Sequence, residues 1–248
     1  MNKIWLIGAS EGIGRALAKA LSKEENNFLI LSARSQDRLE ELSKALVKKN
    51  LPISLDVSNK ESILNAWNEI KKQCGTIDTF IYCAGYYKPM SSIAMNIEDI
   101  EKMIDVNLTG ATRALNCIIP EFINKKQGHI VLIGSIAGYR GLPNSLGYGA
   151  SKAGLIHLAE NLKCDLSNYN LKIQIINPGF VKTRLTNLNK FYMPSIMTPE
   201  DAAKKIIKNM NNNQFESRFP FLFANFLKII SMLPYWLYFS ITKKIKKI

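Results

Sequence analysis

Short runs of Ile, Leu and Val alternate, over the first 214 residues, with longer segments whose apolar positions recur every three or four residues. The runs fall at residues 4–7, 28–31, 53–55, 79–83, 130–133 and 172–176. The helix-period segments fall around 12–24, 36–49, 60–73, 97–125, 148–167 and 199–211. Strands separated by helix-length segments read as βαβ units with a parallel sheet. The runs are continuously apolar rather than alternating, which predicts strands buried on both faces. The pattern therefore predicts an α/β fold, a single doubly wound parallel sheet with helices on both faces, over residues 1–214. Residues 178–199 follow neither period, and a loop that long reads as a lid or binding loop. It ends in Thr198-Pro199-Glu200, an N-cap followed by proline at the first helical position.

The remaining residues, 215–248, form a different kind of segment. Residues 214–219 are a candidate seventh strand. From 219 to 241 the chain is mostly apolar and aromatic, with Lys228 its one charge, and Lys243, Lys244, Lys246 and Lys247 follow. The length would span a bilayer, but Lys228, Pro220 and Pro234 argue against a span. An interfacial segment with aromatic anchors and basic flanks fits better and predicts a peripheral position on the inner face of a membrane. Packing on the domain or on a second subunit is the competing expectation.

Bulk composition narrows the class. At 248 residues, 47% hydrophobic and 21% charged, the chain suits one large globular domain. Cys74, Cys83, Cys117 and Cys164 are scattered, as are His129 and His157, so no metal site is expected and the cysteines read as small buried hydrophobes. The opening apolar stretch ends at Gly8, too short for a secretory signal, which makes the cytoplasm the expected compartment. The net charge of +13 raises nucleic-acid binding, but the one dense basic cluster flanks the apolar tail, so no nucleic-acid partner is expected.

Two segments carry chemistry. Between the first strand and the first helix lies Gly8-Ala9-Ser10-Glu11-Gly12-Ile13-Gly14. Glycine after a strand permits a tight turn and close approach of a pyrophosphate, and the helix N-terminus supplies N–H groups and a positive dipole end. This makes the sheet Rossmann-type. The second strand ends Leu31-Ser32-Ala33-Arg34-Ser35, with no acid to bind the ribose hydroxyls of NAD. Arg34 instead suits the 2′-phosphate of NADP(H). Asp37, slightly further on, argues the other way. The second segment, Gly147-Tyr148-Gly149-Ala150-Ser151-Lys152, opens a helix and puts Tyr148 and Lys152 on one face. A neighbouring ammonium is expected to lower the tyrosine pKa and fit it for proton transfer.

The order of these motifs resembles the short-chain dehydrogenase/reductase family over residues 3–211. Gly8, Gly12 and Gly14 are similar to its glycine turn, and Asp56-Val57 to its adenine contact. Cys83-Ala84-Gly85 is similar to the end of its Asn-Asn-Ala-Gly turn. Asn107 matches its helix asparagine, Ser135 its catalytic serine, and Tyr148 with Lys152 its catalytic pair. Asn177-Pro178-Gly179 with Val181 and Thr183 is similar to the turn beside the nicotinamide. Two places depart from the pattern: Ile7 precedes the glycine turn in place of threonine, and Tyr82-Cys83 stands where two asparagines are usual.

The resemblance implies an oxidoreductase exchanging hydride between NADP(H) and a carbonyl or alcohol. Ser135, Tyr148, Lys152 and Asn107 would form the catalytic set. Gly8, Ser10, Gly12, Ile13, Gly14, Arg34, Asp56, Val57, Ala84, Gly85, Tyr148, Lys152, Pro178, Gly179, Val181 and Thr183 would hold the cofactor. Tyr148 would give or take the proton, Lys152 would tune it and bind the nicotinamide ribose, and Ser135 would orient the substrate oxygen. Asn107 would hold a water that relays protons toward Lys152. Family members commonly dimerise, so a homo-oligomer is expected, with a small, apolar, lipid-like carbonyl or alcohol substrate as the other partner. A non-catalytic sensor or scaffold on the same fold is the alternative, which the complete Ser-Tyr-Lys set disfavours. Sugar-nucleotide epimerases share the Tyr-Lys pair but generally run longer, with a separate substrate domain.

Overall fold

The computed structural model describes residues 1–189 and 191–245. The elements, in chain order, are β1 (Asn2–Ile7), α1 (Gly12–Leu21), β2 (Asn27–Ala33), α2 (Gln36–Ala45), β3 (Asn50–Ser54), α3 (Lys60–Cys74) and β4 (Thr79–Tyr82). There follow α4 (Ile97–Ile104), α5 (Gly110–Lys125), β5 (Gly128–Ile133), α6 (Leu146–Asp165), β6 (Leu171–Pro178), α7 (Pro199–Met210), β7 (Glu216–Phe219), α8 (Phe221–Ser231) and α9 (Tyr235–Ile245). All strand pairs are parallel, in the order β3-β2-β1-β4-β5-β6-β7.

The continuous apolar runs arise because each strand faces two cores. Trp5, Ile30, Phe80 and Ile130 point to one side, against Trp67 of α3, Phe122 of α5 and Leu155 of α6. Their neighbours Leu6, Leu29, Ile81 and Val131 point to the other, against Leu17 of α1, Leu39 of α2 and Ile206 of α7. Successive strand residues alternate sides, and both sides are apolar. Strand order reverses between β1 and β4, which opens a crevice at the C-terminal ends of these strands, the usual ligand position in such sheets.

The single helix expected over 97–125 is interrupted. Residues Asp105–Thr109 form a π-helical turn between α4 and α5. The Gly110 N–H bonds back to the Asp105 carbonyl, and the Val106 carbonyl instead accepts from the Tyr82 hydroxyl at 2.6 Å. A Cβ at Gly110 would lie 2.6 Å from that hydroxyl, so glycine is what admits Tyr82. Such turns re-aim side chains at functional sites, and this one carries Asn107.

The expected seventh strand is present as β7. Beyond it, Met232, Leu233 and Pro234 separate two helices of 11 residues each. Each is about 16 Å long against a hydrocarbon core of about 30 Å, and no described helix is long and apolar enough to cross a membrane. Ala224, Leu227, Ile230 and Tyr238 form a third small core with Ile136. Lys246, Lys247 and the side chain of Lys244, from the expected basic flank, lie outside the described residues.

Candidate active site

A cleft of about 640 Å³ runs from the glycine turn to α8. Its phosphate end is built by β1 and α1. Gly8 holds φ at +92°, and a Cβ there would stand 2.5 Å from the Ala84 nitrogen, so the turn requires glycine. Helices α2, α3, α4 and α7 are capped by the side chains of Ser35, Asn59, Asn96 and Thr198. Helix α1, like α5, α6 and α8, has no side-chain cap, and of these N-termini it is the one that follows the glycine turn. Its first N–H groups are left for a ligand, and a dinucleotide pyrophosphate fits that end.

Among the residues expected to hold a cofactor, all but Asp56 line the cleft. The Asp56 carboxylate instead accepts from the Ser58 N–H at 2.9 Å, an Asx-type turn, while its neighbours Leu55 and Val57 form the wall. Arg34 lines the cleft, and so do Arg38 and Arg184, which the sequence did not single out. Glu11 pairs with both, at 3.1 Å to Arg38 and 2.8 Å to Arg184. Asp37 is exposed in the first turn of α2 and is not part of the wall.

At the other end, Ser135 follows β5, and Tyr148 and Lys152 sit one turn apart near the start of α6. All three line the cleft. Lys152 is 4% exposed and donates to the Ile133 carbonyl at 2.8 Å, with its nitrogen 5.8 Å from the centre of the Tyr148 ring. Burial pulls the Lys152 pKa down to about 8. Burial raises that of Tyr148, the Ser135 hydroxyl opposing it. The expected lowering by the Lys152 ammonium is therefore not the governing effect. Desolvation is, because the phenol and the amine share one dry corner.

Asn107 is fully buried and lies behind the cleft wall. It accepts from the Tyr86 N–H at 2.7 Å and donates to the Tyr86 carbonyl and to Ser151, both at 2.9 Å. Ser151 donates on to the Tyr148 carbonyl. The amide thus ties the Ala84–Tyr86 turn to α6.

Cys83, expected to be a core hydrophobe, lines the cleft beside Lys152, and burial pushes its thiol up to about 12. Tyr87 meets Tyr148 edge-on, ring centres 4.9 Å apart, and donates to Asn189 at 2.6 Å. Phe180 packs on Phe191 of the 178–199 loop and on Phe223 of α8, each at 5.9 Å. The expected lid and the tail thus both wall the cavity above Tyr148. No sequence spacing signals these contacts, which depend on tertiary placement. Chemically, the floor offers a phenol and a hydroxyl for an oxygen to rest on, and the roof offers aromatic surface.

Helix α8 is pinned by Glu216. Its carboxylate accepts from Tyr139 at 2.6 Å and Asn177 at 3.0 Å, and it pairs with Arg218 and Lys228, each at 3.1 Å. Burial works to raise the Glu216 pKa, but these partners outweigh it and hold it below the usual range.

The chain matches the short chain dehydrogenase family profile over residues 2–191. It is 30% identical over 241 residues to an uncharacterized oxidoreductase of Myxococcus xanthus, covering 96% of this chain and 95% of that one. It is 31% identical over 218 residues to carbonyl reductase family member 4 of Xenopus laevis, covering 84% and 90%. Among solved structures, the closed form of a serine dehydrogenase complexed with NADP+ superposes with a TM-score of 0.81 at 26% identity, covering 88% and 94%. The chain belongs to the short-chain dehydrogenase family and is an oxidoreductase.

Proposed function

We propose that the protein exchanges a hydride between NADP(H) and an apolar carbonyl or alcohol. The observation that carries this is the cleft itself. It joins an uncapped helix N-terminus at one end to Ser135, Tyr148 and Lys152 at the other. Arg34 and Arg38 on the wall, with neutral Ala33 ending β2, support NADP(H) over NAD(H). The serine dehydrogenase relative was solved with NADP+.

A bound nicotinamide supplies or accepts the hydride. The remaining work falls to the chain. In reduction, the Tyr148 hydroxyl gives its proton to the carbonyl oxygen as that oxygen gains charge, and in oxidation the phenolate takes the proton back. Ser135 donates a hydrogen bond to the same oxygen and fixes its place. Lys152, with a pKa of about 8, is charged at neutral pH and stabilises the phenolate as it forms. Asn107, through Ser151, holds Tyr148 at its position on α6. Tyr87, Phe180, Phe191 and Phe223 exclude water and favour an apolar substrate.

The test is NADPH oxidation against a panel of apolar ketones and aldehydes, with NADPH binding measured in parallel. Binding with turnover of at least one ketone is expected. Binding without turnover across the panel would favour a sensor instead, and absence of binding would defeat both.

A further inference from the structure

Within the apolar stretch of the tail, Lys228 points inward. It reaches Glu216 at 3.1 Å and lies over the Tyr139 ring at 4.6 Å. The outward arc of α8 is thereby left without charge: Phe221, Leu222, Phe226 and Ile229 are exposed, Leu222 at 82%. Helix α9 adds Tyr235, Trp236 and Phe239 on its exposed side, followed one turn on by exposed Lys243. The turn between the helices is held by Arg140, which donates to the Ser231 and Leu233 carbonyls and sits 4.3 Å from the rings of Tyr235 and Tyr238. An apolar face fixed by two anchors and left uncovered is a docking surface.

We propose that this face rests on an anionic lipid surface and that the substrate is a lipid-dissolved carbonyl or alcohol, which reaches Tyr148 directly from the bilayer past Phe226. Charge selects the occupant. Arg218 and Lys228 are taken by Glu216, and beyond them the chain contains Lys243, Lys244, Lys246 and Lys247 and no acidic residue. This basic flank is complemented by an anionic membrane, whereas a second copy of the chain brings only more positive charge to it. Tyr and Trp among the exposed residues suit the headgroup level.

The route follows from Phe226, which is half-exposed on the docking face and also lines the cavity. Phe191 and Tyr192 of the 178–199 loop, both exposed, line the cavity as well. The path between them is apolar, so a molecule soluble in lipid need not cross water.

The route rests on the hydride-transfer function proposed above, and the experiment separates the two. Flotation uses phosphatidylcholine vesicles with and without phosphatidylglycerol. Turnover uses two ketones, one short and water-soluble, one long-chain and confined to the vesicles. The wild type is expected to float only with phosphatidylglycerol vesicles and to be released by salt. A Leu222→Ser/Trp236→Ser variant, altered outside the cleft, is expected to lose vesicle binding about tenfold or more. It should lose turnover of the vesicle ketone in proportion and keep turnover of the soluble one. A wild type that stays off anionic vesicles at low salt would overturn the proposal. So would a variant equally active on the vesicle ketone, or sedimentation showing that the variant has merely lost a dimer. Intact vesicle binding with no turnover of either ketone would instead overturn the hydride-transfer function, and the route with it.

Discussion

The carboxylate of Glu11, in the glycine turn, holds Arg184, on the loop after β6, at 2.8 Å across the rim of the cofactor cleft. Its other oxygen holds Arg38 at 3.1 Å. An acid is an unexpected neighbour for phosphates, and Glu11 offsets one of the two positive charges that Arg38 and Arg184 bring to the cleft. Glu11→Gln should therefore tighten NADPH binding by about 3- to 10-fold at low salt, the gain shrinking as ionic strength rises. Fluorescence titration of NADPH at two salt concentrations measures this. Weaker binding in the variant would mean that the Glu11 bridge instead holds the cleft together.

Arg34 and Arg38 share the recognition of the 2′-phosphate in this view. Arg34→Asp should reverse cofactor preference. Arg38→Ala should weaken NADP(H) by about tenfold, the scale of one charge-assisted hydrogen bond, and leave NAD(H) nearly unchanged. Calorimetry with all four dinucleotides tests both. Tighter binding of NADH than NADPH by the wild type would contradict the assignment.

Lys152 is buried at a cost to the fold. The ordinary lysine value is 10.5, and in the folded protein it is about 8. Between those values the unfolded chain holds a proton that the folded chain has released, so this group makes stability rise with pH across that window. Below about 8 the folded protein carries the full penalty, on the order of 3 kcal/mol. Lys152→Met removes it and loses the bond to the Ile133 carbonyl, about 1 kcal/mol. The variant should be inactive with NADPH and, with no dinucleotide added, more stable than the wild type at pH 7 by about 2 kcal/mol, a Tm rise of about 4–8 °C. The difference should shrink as pH rises above about 8 and change sign before 10.5, where only the lost bond remains. A lower Tm at pH 7 would show that the ammonium stabilises the fold.

The sheet was legible because its strands are apolar on both faces, and the motif order was legible because Gly8 and Ser135 lie on turns after strands while Tyr148 and Lys152 lie one turn apart on a single helix. Strand β3 begins earlier than its apolar run, at Asn50, since half-buried Asn50 and Pro52 do not look like a strand. The π-turn at Asn107 has no compositional cue. It exists because the Tyr82 hydroxyl claims the Val106 carbonyl, a contact 24 residues away in sequence. Arg38 and Arg184 look like ordinary surface arginines until folding sets both against Glu11. Lys228 in the tail reads as a charge interrupting an apolar stretch, and only its pairing with Glu216 turns it inward. The break between α8 and α9 could be read directly from Pro234.

The central claim is that Tyr148 moves the proton. The most direct measurement is kcat for a reduced ketone, with the NADPH Kd, in the wild type and Tyr148→Phe. The ring still packs edge-on against Tyr87, so the Kd should change by no more than about twofold, while kcat should fall by about 10²- to 10⁴-fold. A Tyr148→Phe protein that keeps more than about a tenth of wild-type kcat would contradict the claim.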